Sequence, residues 1–107
     1  MNMNANTPAS AARIAMPRQF DFTMYRGFMR TCTPLLNCAS VREIEVELSE
    51  VDYLDIFALD MLILLKERAT AANKSISLLN ISSRALRTLE HTHLGANIRY
   101  TATAQAN

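Results

Sequence analysis

The sequence predicts an α/β fold with about four strands and three or four helices, on the basis of three observations. Apolar alternation typical of strands and apolar stripes typical of helices follow one another along the chain. Only two of the 107 residues are glycine, which disfavours an all-β fold with many tight turns. Half of the residues are apolar and a fifth are charged, as in ordinary globular domains. We therefore expect one domain with a mixed sheet and helices mainly on one of its faces.

The two ends of the chain differ in composition from its middle. Residues 1–11 are small and polar, and residues 101–107 are similar. Such segments bury too little apolar surface to offset the entropy lost on ordering. The sequence therefore predicts a disordered leader over 1–11, a domain over 12–100 and a flexible tail over 101–107.

The first half of the domain predicts two strands and one helix. Residues 13–16 form a strand candidate that Pro17 ends. Asp21 stands at the N-cap position of a helix whose apolar residues recur at spacings of three and four. We expect this helix to end near Pro34, because proline lacks a backbone donor and clashes with the preceding turn. Over residues 41–48 glutamates alternate with apolar residues, which predicts a strand with one more polar face.

The strongest helix pattern in the chain follows Asp55, a favourable N-cap, and covers residues 56–72. Its predicted buried stripe consists of Ala58, Met61, Leu62, Leu65, Ala69 and Ala72. Residues 75–80 then predict a strand, residues 82 or 83 cap a third helix, and residues 97–100 predict a last strand.

Composition excludes several classes of function. Eleven basic and ten acidic residues give a formal charge of +1, so the chain lacks the strong positive field of a nucleic-acid-binding protein. Residues 58–65, the longest apolar-rich run, are too few to span a bilayer, and the N-terminus lacks the pattern of a secretory signal. Cys32 and Cys38 are too few for a disulfide framework and indicate reduced thiols in a cytoplasm.

The sequence contains no recognisable catalytic or cofactor motif. It has no glycine-rich phosphate loop and no nucleophile elbow. His91 and His93, two residues apart, cannot both face one way on a helix, which disfavours a metal site. We therefore expect a non-enzymatic protein without a cofactor or metal.

Several segments together resemble the STAS domain, the fold of bacterial anti-sigma factor antagonists. Residues 47–55 (ELSEVDYLD) are similar to the family's strand, turn and helix-opening aspartate. Residues 55–69 (DIFALDMLILLKERA) stand where the family has D-S-S-G-L-G-x-L-L-x-L. Residues 75–90 resemble the strand, asparagine and helix that follow, and residues 17–22 (PRQFDF) resemble the opening of stand-alone proteobacterial members. The resemblance covers about residues 12–100.

The chain departs from this family at the position that carries its regulatory phosphate. In phosphorylatable members a serine or threonine directly follows the helix-opening aspartate, whereas here the residue is Ile56. Phe57 comes next, and Asp60 replaces a small residue. A phosphate at a helix start lies near free backbone donors and adds almost two negative charges to the surface. The resemblance therefore implies a member that cannot be phosphorylated at this position.

By resemblance, the domain is expected to bind a protein partner in the cytoplasm. The implied partner is an anti-sigma factor, often a histidine-kinase-like serine kinase, whose sequestration frees a sigma factor. The expected contact residues lie at the start of the second helix and on nearby loop ends, namely Asp55, Ile56, Phe57, Asp60, Asp21 and Asn80.

Other interpretations stay open at this point. Asp55 is also explained by N-capping, Ile56 and Phe57 by packing in the core, and Asp60 by simple solvation of the helix. The domain could instead be an accessory subunit of an ATP-binding cassette lipid transporter or a scaffold subunit of a signalling assembly. A homodimer is also left open.

Overall fold

Strands and helices alternate along the chain, as its sequence predicts. The computed structural model describes residues 11–18, 22–92 and 98–102. For Phe22 it describes the backbone but not the side chain. Its elements are β1 (Ala11–Ala15), a 3-10 turn (Phe22–Met24), α1 (Tyr25–Leu36), β2 (Glu43–Glu47), α2 (Ile56–Ala71), β3 (Ser75–Ile81), α3 (Ser83–Glu90) and β4 (Arg99–Ala102). Thus β1 begins at a residue that the sequence places in the leader, and β4 includes two that it places in the tail.

The four strands form one sheet in the order β1-β2-β3-β4, and all three pairs are parallel. The predicted α/β class is confirmed, but the sheet is parallel where the sequence predicted a mixed one. The reason is that a helix lies between every two consecutive strands, so each strand starts again from the same edge. With right-handed crossovers, this sequential order places all three helices on one face of the sheet.

The core lies between the helices and one face of the sheet. On β2, the buried residues Ile44 and Val46 alternate with half-buried glutamates, as the period of a strand requires. The buried residues of α1, α2 and α3 belong to the same apolar cluster as these two side chains. Leu62 and Leu65 of α2 are almost completely buried in this cluster.

The ends of α2 and the start of α3 follow local sequence signals, whereas both ends of α1 differ from the prediction. The extent of α2 agrees with its predicted span within one residue, and Ser82 caps α3 by accepting a hydrogen bond from a backbone N–H at 3.1 Å.

Helix α1 begins at Tyr25 with Met24 as its N-cap and no side-chain cap, so the prediction of Asp21 as its N-cap is wrong. It also continues to Leu36 past Pro34. In the last turn the missing proline donor removes one hydrogen bond, while Leu35 and Leu36 still pack partly against the core.

Candidate protein-docking site

All three helices start at the same edge of the sheet, because parallel strands share one carboxyl edge and each helix follows a strand. The start of α2 and the loop that precedes it, residues 48–55, therefore lie beside the start of α3. None of the helices in the described residues has the length and hydropathy needed to cross a bilayer.

Asp55 is the N-cap of α2. Its backbone is extended and its Oδ1 atom accepts a hydrogen bond from the Ala58 N–H at 2.9 Å. This contact satisfies one of the backbone donors that every helix start leaves without a partner in the helix. The interpretation of Asp55 as an N-cap is therefore correct. The cap fixes the backbone at the helix start, from which the next side chains project.

Exposed apolar side chains surround this helix start. Ile56 is 66% exposed, Phe57 46% and Tyr53 54%, although large apolar side chains in a small domain normally lie in its core. We call these three residues the apolar patch. Asp60, one turn further along α2, is also exposed. The structure thus places four residues together at the exposed start of α2: Asp55, Ile56, Phe57 and Asp60.

The loop before α2 is held by the start of α3. Arg84 forms an ion pair with Asp52 at 2.9 Å, and its guanidinium lies 5.5 Å from the centre of the Tyr53 ring. The Ser82 hydroxyl donates a hydrogen bond to the Asp52 carbonyl at 3.1 Å. Because Arg84 and Asp52 are both well exposed, this ion pair contributes little to stability.

Sequence reasoning missed Tyr53, Asp52 and Arg84. Arg84 and Asp52 are 32 residues apart, so no local periodicity connects them. The order of the elements could have predicted this contact, since a parallel sheet brings the starts of consecutive helices to one edge.

Asn80, near the end of β3, contacts residues of the neighbouring strands β2 and β4. Asn80 has a left-handed backbone with φ of 57°, its side chain donates to Glu47 at 2.8 Å and its N–H donates to the Thr101 hydroxyl at 3.0 Å. These contacts give Asn80 a structural role across the strand ends, and its part in partner binding stays a prediction. Asp21 lies outside the described residues.

The face of the sheet opposite the helices is polar and internally paired. Glu43 accepts from Arg99 at 2.9 Å and from Ser77 at 2.8 Å, and Arg13 pairs with Glu45 at 3.2 Å. The hydrogen bond from Asn80 is the main cause that lowers the pKa of Glu47. An open groove of about 550 Å³ follows this face beside β4. Since its carboxylates already have partners, this surface is a weaker docking candidate than the apolar patch.

The described residues contain no group of three or more His, Cys, Asp or Glu side chains that could hold a metal ion. His93 of the sequence pair lies outside those residues. Cys32 is buried, and burial raises the pKa of its thiol to about 11. The hydrogen bond between the Cys38 thiol and the Ser40 hydroxyl, at 3.2 Å, lowers the pKa of Cys38.

Comparison with known proteins agrees with this architecture. The crystal structure of a proposed anti-sigma factor antagonist from Thermotoga maritima, TM1081, has a TM-score of 0.74 and 18% identity, covering 89% of this chain and 81% of that one. The NMR structure of the protein TM1081 has a TM-score of 0.76 and 16% identity, covering 92% of this chain and 78% of that one. At these identities the likeness concerns the fold. No curated protein matches the chain significantly. Residues 4–99 match the family described as "Mlab, STAS domain", and the chain therefore belongs to the STAS-domain family.

Proposed function

We propose that this domain is a non-enzymatic protein-binding module that acts as an anti-sigma factor antagonist. The observation that carries the proposal is the apolar patch of Tyr53, Ile56 and Phe57 at the start of α2. Exposed aromatic and aliphatic side chains are typical anchors of protein interfaces. The relationship to TM1081, a proposed antagonist of the same fold, supports the kind of partner.

The patch is suited to docking because hydrogen bonds hold the backbone that carries it before a partner arrives. Asp55 caps the helix that carries Ile56 and Phe57, and the Ser82 hydroxyl donates to the backbone of the loop that carries Tyr53. Less conformational entropy is therefore lost on binding than if these side chains lay on a mobile segment. Full burial of each such side chain contributes about 1.5–3 kcal/mol.

The residue that would carry the regulatory phosphate in related domains is Ile56 here. An isoleucine has no hydroxyl to accept a phosphoryl group, and its exposed side chain offers an apolar contact in place of a switchable charge. We therefore propose an antagonist that binds its partner constitutively, with any regulation placed elsewhere.

Binding to individually purified anti-sigma factors of the source organism tests this function. We expect one of them to form a complex by isothermal titration calorimetry, and Phe57→Ala to weaken that complex. Tyr100→Ala is the matched control, since Tyr100 is 38% exposed but lies on β4, outside the patch. If no anti-sigma factor binds, or if both variants weaken binding equally, the proposed function is wrong.

A second test concerns phosphorylation. The bound anti-sigma factor, if it is a kinase, is incubated with the domain and ATP. Mass spectrometry should find no phosphate on residues 49–60. Phosphate on Ser49 would contradict constitutive binding, because it would place a switch in the loop before the patch.

An accessory subunit of an ATP-binding cassette transporter is the second candidate. The missing hydroxyl at Ile56 favours it, because a permanent subunit needs a lasting apolar contact and no switch. Purification of the tagged chain in detergent distinguishes the two: a membrane-embedded ATPase that co-purifies in fixed stoichiometry supports the transporter subunit, and an anti-sigma factor supports the antagonist.

A further inference from the structure

An open groove of about 420 Å³ lies between the end of β1 and the start of α1. The residues that line it are mostly apolar and include Ala15, Pro17, Met24, Gly27, Phe28 and Thr31. Like the apolar patch, the groove lies at the carboxyl edge of the sheet. An ion pair between Arg18 and Glu50, at 3.6 Å, links the chain after β1 to the loop before α2. The groove and the patch therefore lie beside neighbouring loops of one edge.

Gly27 lines this groove although nothing inside the domain requires a glycine there. Its φ is not positive, so its backbone conformation suits any residue. A Cβ atom at this position would meet none of the described atoms within 4 Å. Glycine also lowers the stability of a helix relative to alanine or leucine, because it loses more backbone entropy on folding. A glycine that costs stability without easing any internal contact indicates a role outside the domain.

Two cations stand beside Gly27 on the exposed face of α1. Arg30 is three residues from Gly27 and four from Arg26, and such spacings make side chains neighbours on a helix surface. Both arginines are exposed, and neither forms an ion pair in the part of the chain that the structure describes. Two like charges one turn apart destabilise a helix. Carboxylates of a partner would relieve this repulsion, and a guanidinium binds them with two parallel hydrogen bonds.

These charges disfavour a symmetric pair of copies of this chain in the groove. Helix α1 contains no acidic residue, so two α1 helices packed together at Gly27 would bring four arginines to one interface. The cations would lose water without gaining a partner, which is unfavourable. The charge pattern therefore favours an acidic partner.

We propose that the groove binds a segment of a protein partner that carries a large apolar side chain beside two carboxylates one helical turn apart. The apolar side chain enters the groove next to Gly27, and the carboxylates pair with Arg26 and Arg30. A glycine fits this role, because any larger residue would occupy the space that the partner's side chain needs. This surface goes beyond the apolar patch, and it depends on the proposed function only for the identity of the partner.

Designed peptides test the charge pattern directly. Two helical peptides of about 18 residues, or five turns, share one central phenylalanine. They differ only at two positions beside it, four apart, which are glutamate in one peptide and lysine in the other. Each is titrated into the isotope-labelled full chain and followed by NMR. We expect the glutamate peptide to bind on the order of tenfold more tightly than the lysine peptide, with amide shifts centred on residues 23–31.

Gly27→Leu tests the groove itself, because the new side chain fills it without meeting the rest of the domain. Its Tm should equal or exceed that of the parent, since leucine favours a helix more than glycine does. Its affinity for the glutamate peptide should fall by about tenfold. Ala71→Leu is the matched control, since it places the same side chain at the exposed last residue of α2, and it should bind like the parent. If Gly27→Leu also binds like the parent, the proposal is wrong.

Charge reversal provides an independent comparison. The double variant Arg26→Glu/Arg30→Glu should reverse the peptide preference. Arg68→Glu/Arg87→Glu, with the same change in net charge at exposed positions on α2 and α3, should leave the preference unchanged. An unchanged preference in the first variant, a reversed one in the second, or no binding of either peptide at millimolar concentration would overturn the proposal.

The anti-sigma complex separates this inference from the proposed function. If Phe57→Ala weakens that complex but Gly27→Leu and Arg26→Glu/Arg30→Glu do not, the docking function stands and the groove inference is wrong. If the peptides bind as expected while no anti-sigma factor binds, the proposed function fails and the groove inference stands with another partner. If sedimentation shows a dimer that Gly27→Leu abolishes, the occupant is a second copy and the inference is overturned.

Discussion

Replacement of Ile56 by serine tests whether this residue binds a partner or packs in the core. About two-thirds of this side chain is exposed in the free domain, 66% of its surface. Complete burial of such a side chain is worth about 1.5–3 kcal/mol. A partner that covers the exposed part therefore gains about 1–2 kcal/mol from it. Since 1.4 kcal/mol is a tenfold change in affinity, Ile56→Ser should raise Kd by a factor of about 5–30.

The same substitution should change the stability of the domain only slightly. One-third of the side chain is already buried, so the free energy of unfolding should fall by about 0.5–1 kcal/mol. Leu62→Ala is the matched core variant on the same helix, since Leu62 is 1% exposed, and it should lose about 2–5 kcal/mol. In a domain of this size each kcal/mol shifts Tm by about 4–8 °C.

The assay combines thermal unfolding with titration of the anti-sigma factor that binds the parent chain in the screen described under Proposed function. We expect Ile56→Ser to melt within a few degrees of the parent and to bind more weakly, whereas Leu62→Ala should melt far lower. If Ile56→Ser melts as low as Leu62→Ala while its folded fraction binds normally, Ile56 is a core residue and the docking argument fails.

Three further predictions concern the cap, a carboxylate and the thiols. Asp55→Ala should lower the unfolding free energy by about 1 kcal/mol, and Asp55→Asn by much less, in urea titrations at neutral pH; equal losses would show that the side-chain hydrogen bond of the cap is not what stabilises the helix start. The pKa of Glu47 is lowered below its ordinary 4.5 in the folded state, mainly by the Asn80 amide, so its stabilisation is present above pH 4.5 and is lost as the pH falls through the lowered value. Glu47→Gln should therefore flatten the fall of Tm in acid, and a parallel curve would contradict this. Iodoacetamide should alkylate Cys38 well before Cys32, because the pKa of Cys38 is lowered while Cys32 is buried with a raised pKa; mass spectrometry showing the reverse order would contradict the placement of the two thiols.

Local sequence signals determine much of the fold. The apolar residues of α2 recur with the helical period of 3.6, and the glutamates of β2 recur with the strand period of 2. Each period can be recognised within a single short segment of the sequence. The aspartate before α2 caps that helix as its residue type predicts. The pairing of the strands is harder to predict from sequence, and the expectation of a mixed sheet was wrong. Whether two strands run parallel depends on the path of the connection between them, which no local pattern encodes.

For the candidate site as well, some features follow from the sequence and others only from the packing of the helix. That position 56 carries no hydroxyl follows from the sequence alone, whatever the fold. That Ile56 and Phe57 point outward does not follow from their residue types, since an apolar helix start is equally compatible with the core. Only the packing of Ala58, Met61 and Leu62 against the sheet leaves the other side exposed.

The sequence by itself determined the order of the elements, the buried side of α2 and the absence of a phosphate acceptor at its start, because each depends on residues close together in the chain. Only the tertiary structure decided that the sheet is parallel, that Ser82 and Arg84 contact Asp52 in the loop before α2, and that Arg99 pairs with Glu43 across 56 residues of chain. Contacts of this kind arise when strands align at a common edge and bring distant segments together. No periodicity in the chain encodes which distant side chain will lie within hydrogen-bonding distance of another.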